Sequence, residues 1–291
     1  MRSTSILSLH LQVLYIAKYN IIVKRRLFLS ALGAGMPTGA WAKYVEPHRF
    51  EVTRNRIILP GIRPKRILQI ADIHISDGMA ADELDVGVVA GLASRPDLIC
   101  LTGDFVSTTV GFDRPGLLRL LRRLSGAAPA FAVLGNHDGG NWLARCGGSL
   151  STQMIRETVA SAGIRVLHNE SAVFDDLALV GVGDYWSGEF YPNRAFAQVP
   201  ASAATILLCH NPDAKQSLAD LRWDLMLCGH THGGQVCIPG INPVWTPVWD
   251  KRFVAGLYAW KGRQIFITRG LGSPKRIRAF CRPEVSVLEI G

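Results

Sequence analysis

Five short clusters of acid, amide and imidazole side chains could do chemistry in this chain: Asp72-Ile73-His74, Gly103-Asp104, Gly135-Asn136-His137-Asp138, His210-Asn211-Pro212 and Gly229-His230-Thr231-His232. Each follows an apolar run, at 66–71, 98–101, 130–134, 205–209 and 223–228. Runs of this length read as buried strands, and side chains at the carboxyl end of such strands project into a crevice. A carboxylate and an imidazole two residues apart are plausible ligands to one metal ion. In Gly-His-Thr-His the chain has already left its strand, so the two imidazoles can diverge to neighbouring points, as two ions ~3.5–4 Å apart require. Asp104 has two oxygens and can bridge two ions, which a histidine cannot do. The glycine before it allows a tight backbone path beside an ion. Asn136 can offer an amide oxygen, and His137 can point at a substrate instead of a metal. Taken singly, each cluster is ordinary turn chemistry, such as an aspartate capping the next turn. Five in series, each at the end of an apolar run, are not explained that way.

The elements that must position these residues alternate. Residues 50–59 and 65–71 read as two strands around the turn Pro60-Gly61. Helical spacing of apolar residues follows at 82–94, 115–124 and 152–162, the last ended by Gly163. Arg119, Arg122 and Arg123 fall on the solvated face of the second helix. Segments 164–167, 171–174 and 177–182 are expected to form a mostly antiparallel run. Segments 254–260, 264–268 and 285–290 are expected to close the second half. Residues 141–150 read as a loop, with a substrate lid as one option. Neither an internal repeat nor a long linker interrupts 43–291, which is read as one domain.

The chain has 291 residues, 48% of them hydrophobic, enough to fill a core, and a formal net charge of +9. Residues 1–60 hold nine Lys or Arg against two acidic residues, leaving a net +2 for the remainder. A nucleic-acid binder would carry its excess on the folded body, so this distribution argues against that partner. The basic leader contains Lys24-Arg25-Arg26-Leu27-Phe28-Leu29-Ser30, a soft Gly/Ala-rich stretch and Ala40-Trp41-Ala42. These are the parts of a twin-arginine export signal, with cleavage expected after Ala42. Residues 1–42 are therefore read as a leader. The twin-arginine translocase is the expected partner, and the periplasm or the outer face of the cytoplasmic membrane the expected location. Residues 6–23 are too often interrupted by polar side chains to make a good membrane span. The six cysteines include no Cys-x-x-Cys pair, so a disulfide framework is not expected.

In order and spacing, the five clusters resemble those of the calcineurin-like metallophosphoesterases, over residues 66–234. Further stretches extend the resemblance to the YaeI-type bacterial phosphodiesterases, a twin-arginine-exported group, over nearly the whole mature chain. They include Glu46-Pro47, Gly183-Asp184-Tyr185-Trp186, His210-Asn211-Pro212-Asp213, Asp250-Lys251-Arg252, Thr268-Arg269-Gly270 and Cys281-Arg282-Pro283-Glu284. The resemblance implies an α/β fold, a four-layer α/β/β/α sandwich, with two divalent ions as cofactor. One ion would be held by Asp72, His74, Asp104 and His232, and the other by Asp104, Asn136, His210 and His230. His137 would stand outside this set as proton donor or electrophile. The implied reaction is hydrolysis of a phosphodiester or pyrophosphate bond by a metal-bridging hydroxide. Mixed nitrogen and oxygen ligands suit Mn, Fe or Zn.

The expected partner is thus an anionic phosphoester, a nucleotide-lipid among the options, with membrane or envelope association. One alternative is pyrophosphohydrolysis of UDP-2,3-diacylglucosamine in lipid A synthesis, against which stands the export signal. Another is a non-catalytic protein that holds an anionic envelope polymer. Arg269, Lys275, Arg276, Arg278 and Arg282 crowd the segment after 264–268, and Arg276 and Arg278 are expected to bind substrate.

Overall fold

The structure, a computed structural model, describes residues 38–75, 79–239 and 243–291. The twin arginine and most of the leader lie outside them. Within them, the expected cleavage point after Ala42 falls inside a helix, α1 (Thr38–Tyr44).

Alternating apolar and buried residues build two mixed six-stranded sheets. The first contains β1 (Glu51–Ile57), β2 (Lys65–Ile70), β3 (Leu98–Thr102), β4 (Ala130–Val133) and β5 (Arg165–Val166), completed by a late strand, β12 (Glu284–Ile290). Its order is β1-β12-β2-β3-β4-β5, with only the β12–β2 pair antiparallel. The second contains β6 (Glu170–Phe174), β7 (Leu177–Gly181), β8 (Ala204–Leu208), β9 (Leu225–Cys228), β10 (Gly256–Trp260) and β11 (Arg263–Ile267). It runs β10-β11-β9-β8-β7-β6, parallel through its four central strands and antiparallel at both edges.

Because successive strand residues face opposite ways, one set of side chains fills the space between the sheets. Ile67, Leu98, Cys100 and Val133 of the first sheet meet Leu179, Ile206, Leu208, Leu225 and Leu227 of the second. The alternate residues Leu68, Ile70, Ile99 and Leu101 face outward. They pack under the apolar stripes of α2 (Ala81–Leu92), α3 (Arg114–Ser125) and α5 (Gln153–Ser161). The Asp113 side chain starts α3 by accepting the Gly116 N–H at 2.9 Å, an N-cap that satisfies one of the first turn's free donors. On the other side, Leu207, Met226, Ile265 and Ile267 are covered by Trp223, Phe253, Trp260 and Ala195 of the short helix α6 (Pro192–Phe196). Two mixed sheets flanked by helices are therefore present as expected, with the outer layer over the second sheet made largely of loops.

Three details differ from the sequence reading. β1 and β2 are not neighbours, because β12 lies between them. That strand belongs to the first sheet and does not close the second. The three segments expected as an antiparallel run divide between the sheets: β5 pairs parallel with β4, while β6 pairs with β7. Pairing partners so distant in sequence leave no trace in local periodicity. Residues 141–150 also open with a short helix, α4 (Asn141–Arg145).

Candidate metal centre

Strands β2, β3 and β4 of one sheet and β8 and β9 of the other all end at one rim, and each delivers its cluster there. Asp72, His74, Asp104 and His232 are buried, with one candidate ligand atom from each lying within 4.8 Å of the others. Asp104, His210 and His230 form a second such group. Asp104 is common to both, as a bridging ligand would be. Its Oδ2 lies 3.5 Å from His74 Nε2 and 3.2 Å from His210 Nε2. His232 Nε2 is 3.1 Å from His74 Nε2 and 3.5 Å from Asp72 Oδ1. His230 Nδ1 is 3.1 Å from His210 Nε2. Asn136 is buried at the same rim, and its Oδ1 finds no hydrogen-bond partner.

The backbone reaches these positions in conformations that L-residues seldom adopt. Asp72, His74, Asp104, His230 and His232 have φ of 54°, 49°, 56°, 70° and 50°, in the left-handed region. Such conformations persist only where the surroundings over-determine them, and here the surroundings are identifiable. Asp138 accepts the N–H groups of Asp104 (2.9 Å), Phe105 (2.8 Å) and Gly135 (2.8 Å) on its buried carboxylate. Asp72 accepts the His230 N–H at 3.0 Å, tying the two sheets together at the rim. Gly103 (φ 86°) has no room for a side chain, since a Cβ would lie 2.6 Å from Gly135 N and 2.8 Å from His210 Nδ1.

Hydrogen bonds also set the imidazole tautomers. The Thr102 carbonyl can only accept, so His210 donates Nδ1–H to it at 2.7 Å and turns Nε2 toward Asp104. His137 likewise donates Nδ1–H to the Ser107 carbonyl at 2.7 Å. Such outer hydrogen bonds orient metal-binding imidazoles.

Burial pulls the pKa of His74 and of His230 down to about 3, and burial and His74 together depress that of His232. Neutral imidazoles are the form that binds metal. Burial also opposes charge on Asp104, but His210 and His137 outweigh it and hold the carboxyl well below its ordinary range. Burial opposes charge on His210 as well, but the Asp104 carboxylate outweighs it and raises that imidazole to about 10, so a metal ion would have to displace its proton. The rest of the donor set fits two divalent ions as it stands: three imidazoles held neutral, an ionised shared carboxylate and an amide oxygen with no other partner. Asp72, His74, Asp104 and His232 could hold one ion, and Asp104, His210 and His230 a second, with the unpartnered Asn136 Oδ1 buried at the same rim.

His137 is half-buried. Its backbone N–H bonds to Asp104 Oδ1 at 2.9 Å, and its ring meets those of His74 and Trp142 at 4.9 and 4.5 Å.

Arg276 and Arg278 are placed otherwise than expected. Arg278 is 0% exposed, and its guanidinium donates to the carbonyls of Gly272 (2.6 Å), Arg269 (2.8 Å) and Gly270 (3.1 Å), with Nη2 3.4 Å from His232 Nδ1. It braces the loop behind His232 and has no free edge for a phosphate. Arg276 is paired with Glu83. Within the basic cluster Arg269 and Arg276 are ion-paired and Arg278 is packed against backbone carbonyls, while Lys275 is exposed.

Asp138 was legible only as part of its motif. Its role as a backbone cap follows from a fold in which β3 and β4 end side by side. Trp186 was legible only as part of its motif and Trp142 not at all, because their pairing exists only in three dimensions. All six cysteines are free.

Residues 65–234 match the family of calcineurin-like phosphoesterases. The chain is 40% identical over 278 residues, 92% of its length and 100% of the relative's, to phosphodiesterase YaeI of Escherichia coli. It is 29% identical to the uncharacterized metallophosphoesterase YkuE of Bacillus subtilis, over 92% of this chain and 98% of that one. To the UDP-2,3-diacylglucosamine pyrophosphatase LpxG of Chlamydia trachomatis it is 28% identical, over 88% and 94% of the two chains. With a shared aspartate between two buried donor groups and these relatives along its length, the chain belongs to the calcineurin-like phosphoesterases and is a metal-dependent phosphoester hydrolase.

Proposed function

We propose that this protein hydrolyses phosphodiesters on the outer side of the cytoplasmic membrane, after export by the twin-arginine route. The observation that carries the chemistry is the convergence of two donor groups on Asp104, with a half-buried histidine beside them. Two bound divalent ions supply a lowered water pKa and charge neutralisation at phosphorus. The chain's own residues do the rest. Asp72, His74, Asn136, His210, His230 and His232 hold the centre, while Asp104 joins its halves. Asp138 fixes the Asp104 backbone. His137, whose Nδ1–H is held by the Ser107 carbonyl, leaves Nε2 free for the departing oxygen, and in its doubly protonated form gives that oxygen the Nε2 proton or stabilises charge on it.

The export reading rests on the Arg25-Arg26 leader and the small-residue sequence ending at Ala42. Envelope association and the translocase as partner follow from it. The LpxG relative supports a second reading, cleavage of the pyrophosphate in a diacylated nucleotide-sugar.

The test is hydrolysis of bis(p-nitrophenyl) phosphate by the Mn-loaded full chain, beside p-nitrophenyl phosphate and UDP-2,3-diacylglucosamine. Diester turnover well above monoester turnover supports the proposal. A rate confined to the pyrophosphate selects the second reading, and absence of all three with both metals bound points to a binding role. Fractionation of cells with and without the twin-arginine translocase tests location, which is overturned if the protein stays cytoplasmic in both.

A further inference from the structure

The metal centre has one wall that the ligand set does not use. Trp142, at the start of α4, packs its ring against His137 at 4.5 Å, and Trp186 packs against His230 at 4.6 Å. The two indoles lie near-parallel, at 27° and 6.3 Å between centroids. An unbroken aromatic row thus runs from the proposed proton donor to a ligand of the second donor group. Both residues are half-buried, so neither is sealed in the core.

This row is built into the fold. The Asn141 N–H donates to the Ser187 carbonyl at 2.7 Å, lacing the Trp142 loop to the Trp186 loop. The Asp184 carboxylate accepts the Trp186 N–H at 2.8 Å, and Ser187 Oγ donates to the Asp184 carbonyl at 2.8 Å. These bonds fix the backbone beside both indoles.

Three of the five cations that the sequence gathers after β11 are engaged elsewhere. Arg269 pairs with Glu284 and Glu51, Arg276 with Glu83, and Arg278 with backbone carbonyls. A phosphoester lying over Asp104 between His137 and His230 would extend a substituent along the two indoles and meet uncharged π faces there. Aromatic faces of this kind bind flat rings by stacking, with little dependence on ring identity.

We infer that Trp142 and Trp186 form a substituent subsite that takes a planar, uncharged ring, a nucleobase or aryl group, carried on an ester oxygen of the substrate. This rests on the phosphodiesterase reading above and narrows its substrate class.

The test is equilibrium binding of phenyl phosphate and methyl phosphate to the Mn-loaded full chain, by calorimetry and by quenching of indole fluorescence. The wild-type protein is expected to prefer phenyl phosphate by roughly tenfold, as one stacked ring contributes. The preference should collapse toward unity in Trp142→Ala and Trp186→Ala and be largely kept in Trp142→Phe and Trp186→Phe. A wild-type protein without the preference, or alanine variants that keep it, would overturn the subsite. Alanine variants that lose both ligands equally would also overturn it, since that is how a purely structural role reads out. If the ring preference holds but bis(p-nitrophenyl) phosphate is not hydrolysed, the diesterase reading fails while the subsite stands.

Discussion

His74 and His232 come from different sheets, yet their Nε2 atoms face each other across 3.1 Å. Two ring nitrogens this close, each with its basicity depressed by burial, are arranged for a shared positive charge. Removing bound metal should therefore loosen the seam between the sheets as well as stop turnover. Chelation is expected to lower Tm, and Mn or Zn to restore it in proportion to occupancy. A Tm indifferent to chelation, in protein shown to have lost its metal, would contradict this.

Asp104 faces both donor groups and Asp72 only one. Asp104→Asn should therefore deplete both sites and lower the rate by at least ~100-fold, whereas Asp72→Asn should deplete mainly one. Metal analysis of the two purified variants decides. Equal, full occupancy in the Asp104 variant would remove the bridging role.

His137→Ala should keep both metals and lose ~10²–10⁴-fold in kcat. The loss should be smaller for esters of acidic phenols, which leave without a proton, than for alkyl esters. If the variant loses a metal, His137 is itself a ligand.

Asp138 carries no chemistry but holds three backbone N–H groups around Asp104 at 2.8–2.9 Å. Asp138→Asn replaces a multiply bonded acceptor with an amide that brings two donors into the same space. It should cost about 2 kcal/mol or more in urea unfolding and weaken metal affinity ~10–100-fold. A variant as stable as the parent would mean that the Asp104 loop is held by something else.

Arg278→Met should act on stability, with little effect on KM. The buried guanidinium satisfies several carbonyls at once, and leaving them unpaired should cost on the order of 3 kcal/mol. A raised KM for an extended anionic substrate, with unchanged unfolding, would return Arg278 to a substrate-binding role.

His168 supplies a pH dependence remote from the metals. Burial, with help from Arg156, lowers its pKa despite Glu189, whose Oε2 lies 3.4 Å from its Nε2. The folded imidazole is therefore neutral where an unfolded one, near 6.5, begins to protonate. Its stabilising contribution is complete above about pH 6.5 and is lost as the pH falls below that value. The Tm drop between pH 8 and pH 5 should be smaller in His168→Gln than in the wild type. Parallel pH profiles for the two proteins would exclude the shift.

The ligand clusters were legible because each sits where a strand ends, and a strand's apolar run and the polar residues after it are local features. The layer architecture followed from the resemblance that those clusters carry. What local pattern could not show was partnership at a distance. The pairing of β12 with β1 and β2, the transfer of β5 to the first sheet, and the meeting of Trp142 with Trp186 all join segments separated by long stretches of chain. Arg278 shows the same limit from the other side. A run of basic residues looks alike whether its charges face water or backbone carbonyls, and only packing tells them apart.

The position of β12 has a further consequence for how the molecule is made. It lies between β1 and β2, although it follows every residue of the metal centre in the chain. A ribosome that has already released Asp72, Asp104, His210 and His232 has still not released the strand that joins β2 to β1. The first sheet stays split, with the inner edge of β2 unpaired, until residues 284–290 emerge. Joining β2 to β1 is thus a later event than synthesis of the ligands, and a nascent chain stalled before β12 would hold all the ligands and an open sheet edge at once.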